Sequence, residues 1–165
     1  MKISALAMGA LALTATTPAI AGDLNGAGAS FPAPIYQRWF KDYADKTGNQ
    51  VNYQAVGSGA GVRQYKAGTT DFGASDKAVS DKKLSGISRP MVQIPMTGGA
   101  IAVAYNKPGC DLKLTQTEVA QVFYGRINNW SHFGCGDTPI TIAVRSDGSG
   151  TTAGFTNSLS AFSIY

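Results

Sequence analysis

Ser30, Ser58, Ser149 and Thr151 each stand where a glycine-containing loop runs into a helical pattern, at Gly26 to Phe31, Gly57 to Gly61 and Asp147 to Thr151. A helix start offers unpaired backbone N–H groups and a partial positive charge; glycine lets the backbone come close, and a hydroxyl adds a donor. Three such starts meeting at one point would wrap a tetrahedral oxyanion. Singly, each has a plainer reading, because serine before a helix is ordinarily a cap and glycine a turn residue. Their weight therefore depends on convergence at one edge of a sheet, where open α/β proteins hold their ligands.

Two charged positions sharpen that chemistry. Arg145, at the end of an apolar run, can give paired charge-assisted hydrogen bonds to an oxyanion, with Asp147 two residues on to orient the guanidinium. Taken alone, the two read as a surface Arg beside a surface Asp. Asp76 is a poor choice for an anion site if charge alone matters. Phosphate at neutral pH keeps a proton that a carboxylate can accept, whereas fully ionised sulfate has none and would be repelled. Its plainer reading is an Asp that caps the following turn.

The elements that must position these residues follow from periodicity and punctuation. Asp23 to Gly26 reads as a short strand, and Ile35, Trp39, Phe40 and Tyr43 recur at helical spacing over a helix from Pro34 to Lys46, with Ser30 able to cap it and Thr47-Gly48-Asn49 to end it. Val51 to Val56 alternates as a strand, and Gly57 to Gly61 turns the chain into a second helix through Val62 and Tyr65. Asp71 to Ser75 is a brief strand that stops at Asp76, and a short helix is expected near Ser80 to Leu84. Met91 to Tyr105 is apolar but broken by Pro95 and Gly98-Gly99, which suggests an extended segment with a bend, suited to a crossing between two lobes. Thr115-x-x-Glu118 is a capping box in front of a helix to Tyr124. Ile140 to Val144 reads as a buried strand leading through Arg145 into a helix with Phe155 and Leu159. Alternating strands and helices indicate an α/β fold with mainly parallel sheets.

Residues 1–21 begin with Lys2 ahead of an apolar stretch from Ile3 to Leu13 and end in Ala19-Ile20-Ala21, the pattern of a secretory signal peptide cleaved after Ala21. Thr14, Thr16, Thr17 and Pro18 interrupt the apolar run short of the roughly 20 residues that cross a bilayer. Formal net charge is +4, one unit of it from Lys2, and the cationic residues are scattered, so nucleic acid is not an expected ligand. Cys110 and Cys135, an even pair in an exported chain, point to one disulfide bond; with His132 they match no standard zinc pattern.

Four ordered motifs carry a family resemblance: Gly26-Ala27-Gly28-Ala29-Ser30-Phe31-Pro32-Ala33-Pro34, Asn52-Tyr53-Gln54 with Gly57-Ser58-Gly59, Asp71-Phe72-Gly73-Ala74-Ser75-Asp76, and Arg145-Ser146-Asp147-Gly148-Ser149-Gly150-Thr151. In order and spacing they resemble the PstS family of periplasmic phosphate-binding proteins. The resemblance implies a two-lobed periplasmic-binding-protein-like (type II) fold, with residues 22–96 in lobe I and residues 97–165 in lobe II. It also implies a monomer without cofactor or metal that binds inorganic phosphate and delivers it to an ABC phosphate permease in the inner membrane. Phosphate ligands carried over are Ser30, Phe31 (through its backbone N–H), Ser58, Asp76, Arg145, Ser149, Gly150 and Thr151, with Asp147 as the partner of Arg145. Family members are substantially longer, so a chain stopping at Tyr165 is expected to lack the C-terminal half that completes both lobes.

Other readings compete. A sulfate or other oxyanion binder differs only in what Asp76 does. A phosphate sensor, a scavenger or a non-functional fragment keeps the same motifs. A phosphatase would have to use Asp76 with Arg145. No Ser sits in a Gly-x-Ser-x-Gly elbow and His132 is the single histidine, so an enzyme is not expected. Asn129-Trp130-Ser131 fits a glycosylation pattern too short to carry weight, and one not expected in a bacterial periplasm.

Overall fold

A computed structural model describes residues 22–85 and 87–162, so the expected signal peptide lies outside the described residues. The first half alternates strand and helix: β1 (Leu24–Gly28), α1 (Ala33–Thr47), β2 (Val51–Ala55), α2 (Ser58–Ala67) and β3 (Phe72–Ala74). The three strands form one parallel sheet in the order β2-β1-β3. Gly28 pairs with both Ala55 and Ala74, which leaves the three strand ends level. As expected for an α/β unit, each crossover is a helix, α1 packing on β2 and α2 on β1 and β3.

The core on the α1 side is aromatic. Tyr36 and Phe40, one helical turn apart, meet Tyr53 of β2 and Phe72 of β3, with Tyr36 edge-on to Tyr53 at 5.4 Å and Tyr53 stacked on Phe72 at 6.1 Å. Each such pair contributes about 1 kcal/mol beyond its burial. Ile35, Trp39 and Tyr43, part of the helical pattern in the sequence, fall on the exposed side of α1.

Ser30 does not cap α1. Pro32 holds the cap position and has no polar side-chain atom to cap with, while the hydroxyl of Ser30, two residues earlier, accepts from Arg145 at the far end of the chain. The helix ends at Gly48, as the Thr47-Gly48-Asn49 punctuation anticipates.

The second half holds α3 (Asp81–Leu84), α4 (Gln116–Phe123), a 3-10 turn (Trp130–Phe133) and α5 (Gly150–Phe162). The capping box of α4 is complete: Thr115 Oγ1 accepts from Glu118 N, and Glu118 accepts from Thr115 N at 2.8 Å. Phe123 of α4 meets Phe155 of α5 edge-on at 4.8 Å. Cys110 and Cys135 are joined by a disulfide bond, as the sequence indicates. Among the described residues no helix is long and apolar enough to cross a membrane.

One expected strand is absent. Residues 140–144 form no ladder, and Val144 is 75% exposed rather than buried. Val92, Ile94 and Met96 in the apolar run from Met91 are likewise exposed, Val92 at 82%. β-propensity becomes a strand only where a neighbouring backbone accepts the hydrogen bonds in succession, and here pairing stops at an isolated bridge between Asn129 and Pro139 and the bond from Ile140 N to Asn128 O at 2.8 Å. What holds the start of this region is side-chain chemistry: the Gln93 carboxamide pairs with both backbone groups of Val79, and Arg89 Nη1 donates to Thr70 O.

Candidate functional site

The C-terminal edge of the sheet gathers the glycine loops. After β1, Ala29 N donates to Ala74 O at 2.9 Å, tying the loop with Ser30 and Phe31 to the end of β3. After β2, Val56 N and Gly57 N both donate to Gly28 O, so α2 starts beside that loop. Gly57 has φ +88°, and a Cβ there would run into the Asp147 carboxylate, so this position needs glycine on both counts.

Ser58, the first residue of α2, is 5% exposed, and its Oγ accepts from Asp76 N at 3.2 Å. Asp76 in turn accepts at Oδ2 from Thr151 Oγ1 at 2.8 Å. The third loop therefore reaches the first two across the molecule. Gly59 N donates to Gly148 O at 2.7 Å, and a Cβ on Gly150 would stand 2.6 Å from Ser58 Oγ and 3.0 Å from Asp76 N. Glycine at 150 is what lets the start of α5 lie against the start of α2.

Arg145 supplies the charge. Its Nε donates to Asp147 Oδ1 at 2.6 Å, its Nη2 pairs with Asp147 Oδ2, and its Nη1 donates to Ser30 Oγ at 3.1 Å. The bidentate fork fixes the guanidinium plane. It also raises the Arg145 pKa further and holds the Asp147 carboxyl below the usual carboxylate range, in each case chiefly through their mutual hydrogen bond. Both side chains are partly exposed, so the pair orients more than it stabilises.

The structure thus brings together Ser30, Ser58, Asp76, Arg145, Asp147, Gly150 and Thr151. Ser149 lies in the same loop, but its Oγ accepts from Thr152 N at 3.1 Å and so caps α5. The Phe31 ring is exposed and lies against Gly99, outside the cluster of hydroxyls. Sequence reasoning gave no role to Tyr53, whose hydroxyl donates to Ala29 O at 2.7 Å, although Asn52-Tyr53-Gln54 belongs to a recognised motif. Nothing in the residue types signals that long-range bond.

Two helix starts, a guanidinium and three hydroxyls at one edge make an environment for an oxyanion, and a carboxylate within it makes one for an oxyanion that carries a proton. Among the described residues no group of His, Cys, Asp and Glu could hold a metal ion. A concavity elsewhere, lined by Asn25, Asn52, Gln54, Gln64, Thr69 and Thr70, has carboxamides and hydroxyls but no cation.

Residues 13–164 match the PBP superfamily domain. The chain belongs to the PBP superfamily. Relatives of this superfamily member include a phosphate-binding protein PstS of Haemophilus influenzae, 43% identical over 87% of this chain and 46% of its own length. Another from Methanocaldococcus jannaschii is 34% identical over 82% of this chain and 40% of its own length. The chain therefore spans about half the length of the curated relatives it matches. A substrate-binding protein from Clostridium perfringens, solved with bound phosphate, shares the fold at TM-score 0.64 and 21% identity, covering 82% of this chain and 55% of that one. A phosphate transport receptor from Vibrio cholerae shares it at TM-score 0.56 and 19% identity, covering 84% and 56%.

Proposed function

We propose that the chain binds inorganic phosphate in the periplasm and passes it to an ABC-type phosphate permease in the inner membrane. The observation that carries this reading is the position of Asp76, whose carboxylate stands at the meeting of the α2 and α5 starts, on the Thr151 hydroxyl. Such a carboxylate repels a fully ionised anion and accepts a proton from a partly protonated one, which favours phosphate over sulfate. The names of the Haemophilus and Methanocaldococcus relatives, both phosphate-binding, and the phosphate held by the Clostridium protein support the same ligand.

In this reading the phosphate takes hydrogen bonds from the hydroxyls of Ser30 and Ser58 and from the backbone N–H of Thr151, whose hydroxyl proton is held by Asp76. It takes others from the backbone N–H groups of Phe31, Ser149 and Gly150, and a charge-assisted pair from Arg145, which Asp147 orients. Asp76 accepts the remaining phosphate proton. The role is binding rather than catalysis, in a monomer without cofactor, with residues 22–96 and 97–165 contributing to two lobes around the ligand. Calorimetric titration of phosphate, with sulfate as control, into protein stripped of carried-over anion tests it. Phosphate heat without sulfate heat is expected; equal binding of both would remove Asp76 from the argument, and binding of neither by folded protein would remove the ligand.

A further inference from the structure

The loop that carries Ser30 and Phe31 is fastened to the sheet at one residue. Ala29, 1% exposed, donates its N–H to Ala74 O at 2.9 Å on one side and accepts at its carbonyl from Tyr53 Oη at 2.7 Å on the other. That carbonyl belongs to the peptide whose N–H is Ser30's own, one residue ahead of Phe31. The Tyr53 ring is itself immobilised, edge-on to Tyr36 and stacked on Phe72, so the hydroxyl is presented from a rigid platform. Beyond this point Ser30 O accepts from Ala33 N at 3.3 Å, and the loop's side chains reach distant parts of the chain, Ser30 Oγ to Arg145 and the Phe31 ring to Gly99.

We infer that Tyr53 is a positioning residue of the oxyanion site: its hydroxyl sets the orientation of the Ala29–Ser30 peptide, and through it the placement of the Ser30 hydroxyl and the Phe31 N–H. This rests on the phosphate reading for the identity of the ligand, but the mechanical claim stands separately. Burial raises the Tyr53 pKa, so the phenol stays a donor throughout the neutral range. A rotation of one peptide by a few tens of degrees moves the next hydroxyl by about an ångström, enough to weaken a directional hydrogen bond. Tyr36 serves as the internal comparison, since it occupies the same aromatic cluster, while among the described residues the phenol that bonds the loop is that of Tyr53.

The test pairs Tyr53→Phe with Tyr36→Phe, each of which keeps its ring, and reads two quantities: amide hydrogen exchange at residues 29–31 without added anion, and phosphate affinity by calorimetry. Tyr53→Phe is expected to accelerate exchange at Ala29, whose N–H is held by Ala74 O, and to weaken phosphate binding, each by about fivefold, the scale of one hydrogen bond. Tyr36→Phe should do neither. In a Tyr53→Phe/Ser30→Ala double variant the losses of affinity should be smaller than additive, because Tyr53 acts through that hydroxyl. Unchanged exchange in the loop, or acceleration spread evenly over α1 and β2, would overturn the inference. Absence of phosphate heat from the unsubstituted chain would sink the phosphate reading alone, because the exchange comparison decides the loop claim by itself.

Discussion

Thr151 Oγ1 donates to Asp76 Oδ2 at 2.8 Å, and these two residues lie 75 positions apart in the chain. The bond joins the first turn of α5 to the end of β3 and leaves the other Asp76 oxygen without a side-chain donor in the cluster. One carboxylate oxygen is thereby held while the second can take a proton from a ligand.

Replacing Asp76 with Asn preserves an oxygen for Thr151 but ends the acceptance of a ligand proton without repelling a dianion. Discrimination between phosphate and sulfate should fall by at least about tenfold, the worth of one charge-assisted hydrogen bond. Parallel calorimetric titrations measure it, and unchanged selectivity would exclude Asp76 as the discriminating group.

Arg145→Ala should weaken every oxyanion alike, by about tenfold to a hundredfold for a lost charged donor pair at a partly exposed position. Arg145→Lys should recover only part of this, because a single ammonium cannot satisfy Asp147 at two points and still reach Ser30. Full recovery by Lys would mean that charge matters and the fork does not.

Two glycines of one helix should respond oppositely. Gly150→Ala drives a methyl into Ser58 Oγ and Asp76 N and should reduce anion affinity as α5 is pushed back. A methyl at Gly154 meets nothing nearer than Ile101 Cδ1 at 3.7 Å, so Gly154→Ala should raise thermal stability, by up to about 1 kcal/mol from helix propensity. Thermal melts and titrations on both variants separate packing from binding.

Reduction of the Cys110–Cys135 bond releases a constraint on 25 residues of chain and should lower stability by about 3 kcal/mol, seen as a lower midpoint in thermal melts with reductant. Because none of the hydrogen bonds that join Ser30, Ser58, Asp76, Arg145 and Thr151 involves either cysteine, anion affinity well below that midpoint should persist.

The α4 capping box gives a pH signature. Hydrogen bonds from the backbone N–H and side chain of Thr115 hold the Glu118 carboxyl below its ordinary value. Its contribution is present above the unfolded carboxylate pKa and is lost as pH falls through the lowered folded value. Melts of wild type and Glu118→Gln should therefore differ near neutrality and converge in acid; a difference independent of pH would show that the charge is not involved.

Much of this protein was readable from its residues because the signals are local. The Thr115–Glu118 box, the stop at Gly48 and the strand–glycine–helix passages at Ser30 and Ser58 depend on neighbours within a few positions, where conformational preference and hydrogen-bond reach are set by the chain itself. The proposal of an oxyanion ligand likewise starts from residue types, in the company of Asp76, Arg145 and the helix starts. Tertiary structure decided what no local pattern encodes. It drew Ser30 away from capping α1 and onto Arg145, put Tyr53 on Ala29, and left residues 140–144 without a ladder despite their β-forming side chains. The physical reason is common to all three: a hydroxyl or a strand edge takes whichever partner the folded backbone brings within about 3 Å, and that partner lies outside the local window that propensity can read.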